Sequence, residues 1–111
     1  MSTLFEQTKT KLLLMTENES IAEEIRQLLY SGIADLEYTS GVDVGGVTSP
    51  DVTLDDSSDA YDILVANAVM TYVKCHFGEA DEYERLKRAY DEQKKMLKTA
   101  SRGRDTDGQD S

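Results

Sequence analysis

Few side chains in this sequence are equipped for chemistry. There is one histidine, His76, and one cysteine, Cys75, side by side in AVMTYVKCHFG. A lone histidine in a helical chain of 111 residues invites comparison with a phosphotransfer domain. That chemistry needs the imidazole exposed in mid-helix, with a lysine nearby to meet the phosphate charge. Lys74 stands two residues away on another bearing, and Gly78 is a helix-ending residue, so His76 reads as a structural or exposed residue at a helix end. Cys75 lies in an apolar run, where a thiol packs and stays inert. A hydrolase triad has only His76 to draw on. The segment DTDGQD near the C-terminus has its glycine misplaced for a calcium loop and lacks the closing glutamate. A single cysteine gives no disulfide framework and no cysteine-based zinc site, and no glycine-rich phosphate loop lies between a strand and a helix. These residues lead us to expect no catalytic side chains, no cofactor and no metal: a protein that is not an enzyme.

The elements that would position any site are helical. Residues 60–78, AYDILVANAVMTYVKCHFG, are apolar on nearly every bearing, including Ile63, Leu64, Val65, Val69 and Val73. Only Asn67, Thr71 and Lys74 interrupt, forming one narrow polar line, so the helix should be covered by neighbours on several sides. Asp59 is placed to cap its start. Lys74 and the acidic flanks argue against membrane insertion. Before it, residues 4–15 predict a short helix with Phe5, Leu12 and Met15 on one side. A second helix begins near Thr16 or Ser20, each followed three residues later by a glutamate as in a capping box. Ile21, Ile25, Leu28, Leu29 and Leu36 give it an apolar face, and Gly32 on that face either lets another helix approach or merely weakens its own.

Periodicity is absent from residue 39 to 58, where three glycines and the only proline fall among short Val/Thr alternations. VDV and DVTL suggest a small hairpin about Gly45–Gly46. A connection of this length is either disordered or contacts a partner. A last helix opens at Asp81, a cap with Glu84 closing its box, and carries a seam of Tyr83, Leu86, Tyr90, Gln93, Leu97 and Ala100. After it RGRDTDGQDS has no apolar residue, which predicts a disordered tail. The expected fold is all-α: a small four-helix bundle-like domain over residues 1–101, with a long loop between the second and third main helices, and a flexible tail over 102–111.

The net charge of −10 is unevenly spread. Between Leu12 and Val73 the only base is Arg26, against twelve carboxylates, whereas residues 85–104 hold eight bases and only Asp91 and Glu92. Net acidity disfavours general nucleic-acid binding. An acidic body and a basic helix are natural complements in a head-to-tail contact between copies.

The stretch from Leu12 to Ser101 resembles the small helical head–tail connectors of tailed bacteriophages, the head-completion adaptors beneath the portal. LLLMTENESIAEEIRQLLYSGIADLEYTSGVD is similar to that family's first two helices, and SDAYDILVANAVMTYVKCHFGEADEYERLKRAYDEQKKML to its core. The loop at 39–58 is longer than the family's usual connection, and the tail lacks the aromatic residue often found there. The resemblance implies a homo-oligomeric ring with one subunit per portal subunit, hence twelve-fold. Such a ring belongs to the virion neck, is made in the bacterial host cytoplasm, and binds the portal and a head-closure or tail-joining protein. DNA would pass through its channel without specific binding, and no membrane is involved.

On that reading Arg85, Lys87 and Arg88 are the expected subunit interface. Asp43, Asp51, Asp55 and Asp56 are candidates to face the channel, where carboxylates would keep the duplex from sticking. Arg102 and Arg104 are candidates for portal docking. A different class of protein, an acidic DNA mimic that blocks a basic nucleic-acid-binding partner, also explains the net charge but leaves the basic stretch without a role.

Overall fold

The computed structural model describes residues 2–12, 19–55, 58–77 and 80–110, with side chains described over 3–12, 20–55, 58–77 and 82–100. Ser2–Thr3 (β1) leads into α1 (Leu4–Lys11), followed by α2 (Glu19–Ala34), which runs into a π-helical turn at Asp35–Thr39. An irregular strap, described at residues 40–55 and 58–59 and called 40–59 below, contains Thr53–Leu54 (β2) and precedes α3 (Ala60–Phe77) and α4 (Ala80–Asp110). The fold is all-α, as its periodicity predicts.

The start of α1 shows how its exposed N–H groups are satisfied. Thr3 Oγ1 accepts from the Glu6 N–H at 3.1 Å and Glu6 Oε1 accepts from the Thr3 N–H at 2.9 Å, a reciprocal capping box. The N–H groups of Leu4 and Phe5, which no helical carbonyl can reach, donate to the strap carbonyls of Val52 and Pro50 at 2.8 and 2.9 Å. Two cross-strand pairs, Ser2 with Leu54 and Thr3 with Thr53, extend the attachment. The expected hairpin of VDV with DVTL therefore does not form: DVTL pairs with the N-terminus. Helix α1 ends at Lys11 rather than at Met15, and residues 13–18, with Thr16, lie outside the described residues. Ser20 lies one residue inside α2, so it is not that helix's cap.

Nor is the strap an uncommitted loop. Val42, Val44, Val47, Pro50 and Leu54 are buried and join the core made by Ile25, Leu29, Ile33 and Leu36 from α2 and the π turn. Gly45 takes a positive φ of 58°. A Cβ there would stand 2.4 Å from Asp62 Oδ1, the same oxygen that accepts from the Gly46 N–H at 3.1 Å. The left-handed conformation favours glycine at this turn, and a side chain there would have to displace the Asp62 carboxylate.

Helix α3 packs against α1, α2 and α4. Asp59 caps it, accepting from the Tyr61 N–H at 2.7 Å. Val65, Val69 and Val73 are fully enclosed. Gly32 of α2 meets it closely: a Cβ there would lie 3.0 Å from Tyr72 Cδ1 and 3.3 Å from Val69 Cγ1. Of the two readings of Gly32, close approach is the one observed. The expected cover on several sides is observed, but it stops short of Ile63 and Leu64, which are 36% and 42% exposed. They lie on the same stripe as Ala60, Asn67, Thr71 and Lys74, so the polar line predicted from sequence marks the open side of the helix and these two residues extend it.

Helix α4 buries Leu86, Tyr90 and Leu97 on the predicted seam, while Tyr83 at its entrance stays 38% exposed. It opens at Ala80, one residue before the expected cap Asp81. Its 31 residues, about 46 Å at 1.5 Å per residue, account for the 49 Å longest dimension of the molecule. The backbone of 102–110, expected as a disordered tail, continues this helix to Asp110. No apolar residue in that stretch can tie it to the body.

Candidate functional site

The three bases expected at one interface are divided by the helix that carries them. At about 100° per residue, Arg85 and Lys87 lie some 160° apart on α4. Arg85 pairs with Glu82 at 3.0 Å on one flank. Lys87 and Arg88 share a shallow surface with Tyr83, Glu84 and Asp91. Both are exposed, and neither makes an ion pair among the described residues. Arg88 lies between the other two, about 60° from Arg85 and about 100° from Lys87.

Of the four acids named for the channel, Asp43 and Asp51 use their carboxylates to hold the strap. Asp51 pairs with Arg26 at 2.8 Å, and the Arg26 guanidinium stacks 4.3 Å from the centre of the Phe5 ring. The single base of the acidic half is thereby committed. Asp43 Oδ1 accepts from the Gly45 N–H at 2.9 Å, and its carbonyl accepts from the Tyr61 hydroxyl. At Asp55 the backbone N–H donates to Ser58 Oγ at 2.9 Å and the carbonyl accepts from the Ser58 N–H at 3.1 Å. Asp56 lies outside the described residues. Arg102 and Arg104 fall on the last turns of α4, beyond the described side chains.

Sequence reasoning missed a cleft of about 160 Å³ where α3, α4 and the π turn meet. It gathers the only histidine, the only cysteine and three of the six tyrosines. The Tyr72 and His76 ring centres are 4.3 Å apart, one helical turn along α3. From α4, Tyr90 meets Tyr72 edge-on at 5.5 Å and Tyr83 meets His76 edge-on at 6.3 Å. Such tilted and edge contacts are the favourable geometry for aromatic pairs. On the inner side, Tyr90 donates to Asp35 at 2.5 Å, and Lys94 lies 3.9 Å from Asp35, 3.5 Å from Asp91 and 4.7 Å from the Tyr90 ring centre.

Burial disfavours ionisation of three groups in this cleft. Burial, and then the Asp35 carboxylate, hold the Tyr90 phenol far above its usual value. Burial raises Tyr72, and burial raises the Cys75 thiol. A thiol whose ionisation is suppressed is a poor nucleophile, so Cys75 packs in this cleft as an inert side chain. A signal for it did exist. Tyr83 and Tyr90 are seven residues apart on one seam and Tyr72 and His76 four apart on another, with only two residues between the helices that carry them.

Among the described residues no cluster of histidine, cysteine and carboxylate side chains could hold a metal ion, and no helix is long and apolar enough to cross a membrane. Comparison with protein-family models, curated proteins and solved structures gave no match to this chain.

Proposed function

We propose that this chain is a head–tail connector of a tailed bacteriophage: a structural protein of the virion neck that forms a ring on the portal. The ring would extend the DNA channel and offer a platform to a head-closure or tail-joining protein. The likeness in helix order supports this reading: two helices, a small-residue connection, an apolar central helix and a long helix with a basic stretch at residues 85–104. The observation that carries it is the charge left over once the body has folded. Lys87 and Arg88 remain exposed and unpaired on α4 among the described residues, while Glu23, Glu24 and Glu37 remain exposed on α2 and the π turn. One subunit cannot satisfy both sets, whereas a head-to-tail neighbour can. Acidic residues elsewhere on the ring would let DNA pass without being held. Arg102 and Arg104, on the free end of α4, are the proposed contacts to the portal.

Electron micrographs of the purified protein, alone and mixed with the portal protein of the same virus, test this. Rings, or a collar added to the portal, are expected, and raising salt from ~0.1 to ~1 M should weaken them as the Debye length falls from ~10 to ~3 Å. A monomer that never joins the portal overturns the reading. If that monomer instead displaces DNA from a basic protein, the DNA-mimic alternative takes its place.

A further inference from the structure

Two features of the surface have matching chemistry. One is the aromatic cleft. Its inner charges are mutually satisfied, because Lys94 serves Asp35 and Asp91, and Tyr90 donates to Asp35. Its rim is not satisfied: Lys87 stands at the mouth with Arg88 beside it, both without an ion pair among the described residues. Exposed rings of His76 and Tyr83 flank that mouth. A cleft walled by rings and rimmed by bases suits a planar aromatic group with a carboxylate beside it.

The other feature is such a group. Tyr38 on the π turn is 81% exposed, the most exposed of the large hydrophobic side chains among the described residues. The neighbouring Glu37 carboxylate raises the phenol's pKa. Glu37 is exposed and pairs with no base among the described residues. The turn presenting them is a π-helical segment closed by the Ser40 N–H donating to the Asp35 carbonyl at 2.9 Å. Such turns are rare and concentrate at functional positions.

We propose that the Tyr38–Glu37 knob of one copy of this chain occupies the aromatic cleft of a second copy. The Tyr38 ring packs beside His76 and Tyr83, and the Glu37 carboxylate meets Lys87 and Arg88. Knob and cleft are different surfaces, so in a ring each subunit gives its knob to one neighbour and receives that of another. The inference rests on the ring reading and names its contact. A buried tyrosine with charged neighbours is a common energetic centre of protein interfaces.

The single histidine makes the test direct, since one imidazole NMR signal reports on the cleft. Protein labelled at histidine is diluted through its association range while sedimentation measures mass. The His76 signal should shift as mass rises. Tyr38→Ala should abolish the shift and weaken association about thirtyfold, with an unchanged melting temperature because Tyr38 is exposed. Glu37→Lys, and separately the pair Lys87→Glu with Arg88→Glu, should each weaken association, and mixing the two variants should restore it. Association that leaves His76 unmoved and survives Tyr38→Ala overturns the inference and spares the ring reading. A mass that stops at two chains, with the shift intact, keeps the contact and overturns the ring. A chain that stays monomeric with His76 unmoved overturns the contact, and micrographs with the portal then decide the ring separately.

Discussion

The strap at residues 40–59 and the first half of α4 are both rich in charge, and they use it in opposite directions. In the strap the polar groups are consumed internally. Asp43 closes a turn, Asp51 takes Arg26, and Asp62 of α3 reaches back to the Gly46 N–H. These bonds let an irregular segment insert Val42, Val44 and Val47 into the core. On α4 the backbone satisfies itself by helical hydrogen bonding, so the side chains on its outer faces have no structural duty. Lys87 and Arg88 are left for something outside the molecule. The difference teaches that a charged loop is not by that fact a binding loop: what counts is whether its hydrogen-bonding capacity has already been used.

The largest expected effect that would break this comparison lies in the strap. Val47→Asp would bury an unpaired carboxylate and cost several kcal/mol of the ~5–15 kcal/mol typical of a domain. Chemical denaturation should show loss of the cooperative transition. Leu64→Asp, on the open stripe of α3, should cost under about 1 kcal/mol. Equal, mild effects would mean that the strap does not belong to the core. Next comes Gly45→Ala, which places a side chain in the left-handed region and against Asp62; about 2 kcal/mol is expected, measured in the same way.

A smaller effect separates the cleft's inner side from its rim. Tyr90→Phe removes a hydrogen bond to a charged acceptor and should cost about 1.5 kcal/mol near neutral pH. The folded state raises the Tyr90 pKa above the unfolded value of about 10. Its contribution is therefore fully present below pH ~10 and is lost as pH climbs beyond that. Thermal melts should fall more steeply above pH ~10 for the wild type than for Tyr90→Phe, and parallel curves would sink this account. The smallest effect is expected at exposed charges. Asp51→Asn should cost at most about 1 kcal/mol, diminishing with salt. The pair Lys87→Glu with Arg88→Glu should leave the melting temperature within a degree or two while changing association. A clear loss of stability in that pair would show that these bases also serve the fold.

The sequence by itself determined the local features of this protein. The helices, the Asp59 cap, the Leu86–Tyr90–Leu97 seam and the polar line on α3 follow from spacing and side-chain type, because helix formation is governed by neighbours three and four residues away. What only the tertiary structure decided is which of these surfaces are covered and by what. Ile63 and Leu64 look like core in the sequence, yet no neighbouring helix covers their stripe. DVTL reads as half of a local hairpin, yet its backbone partner is the N-terminus some fifty residues away, a choice that strand propensity does not encode. Arg85, Lys87 and Arg88 form one cluster in the sequence, yet the helix turns Arg85 and Lys87 to different flanks. His76 and Cys75, unremarkable singly, acquire a setting only when α4 folds back along α3 and brings Tyr83 and Tyr90 against Tyr72. Spacing along a chain specifies the face a residue occupies, but the area that covers that face comes from segments distant in sequence, and only their packing assigns it.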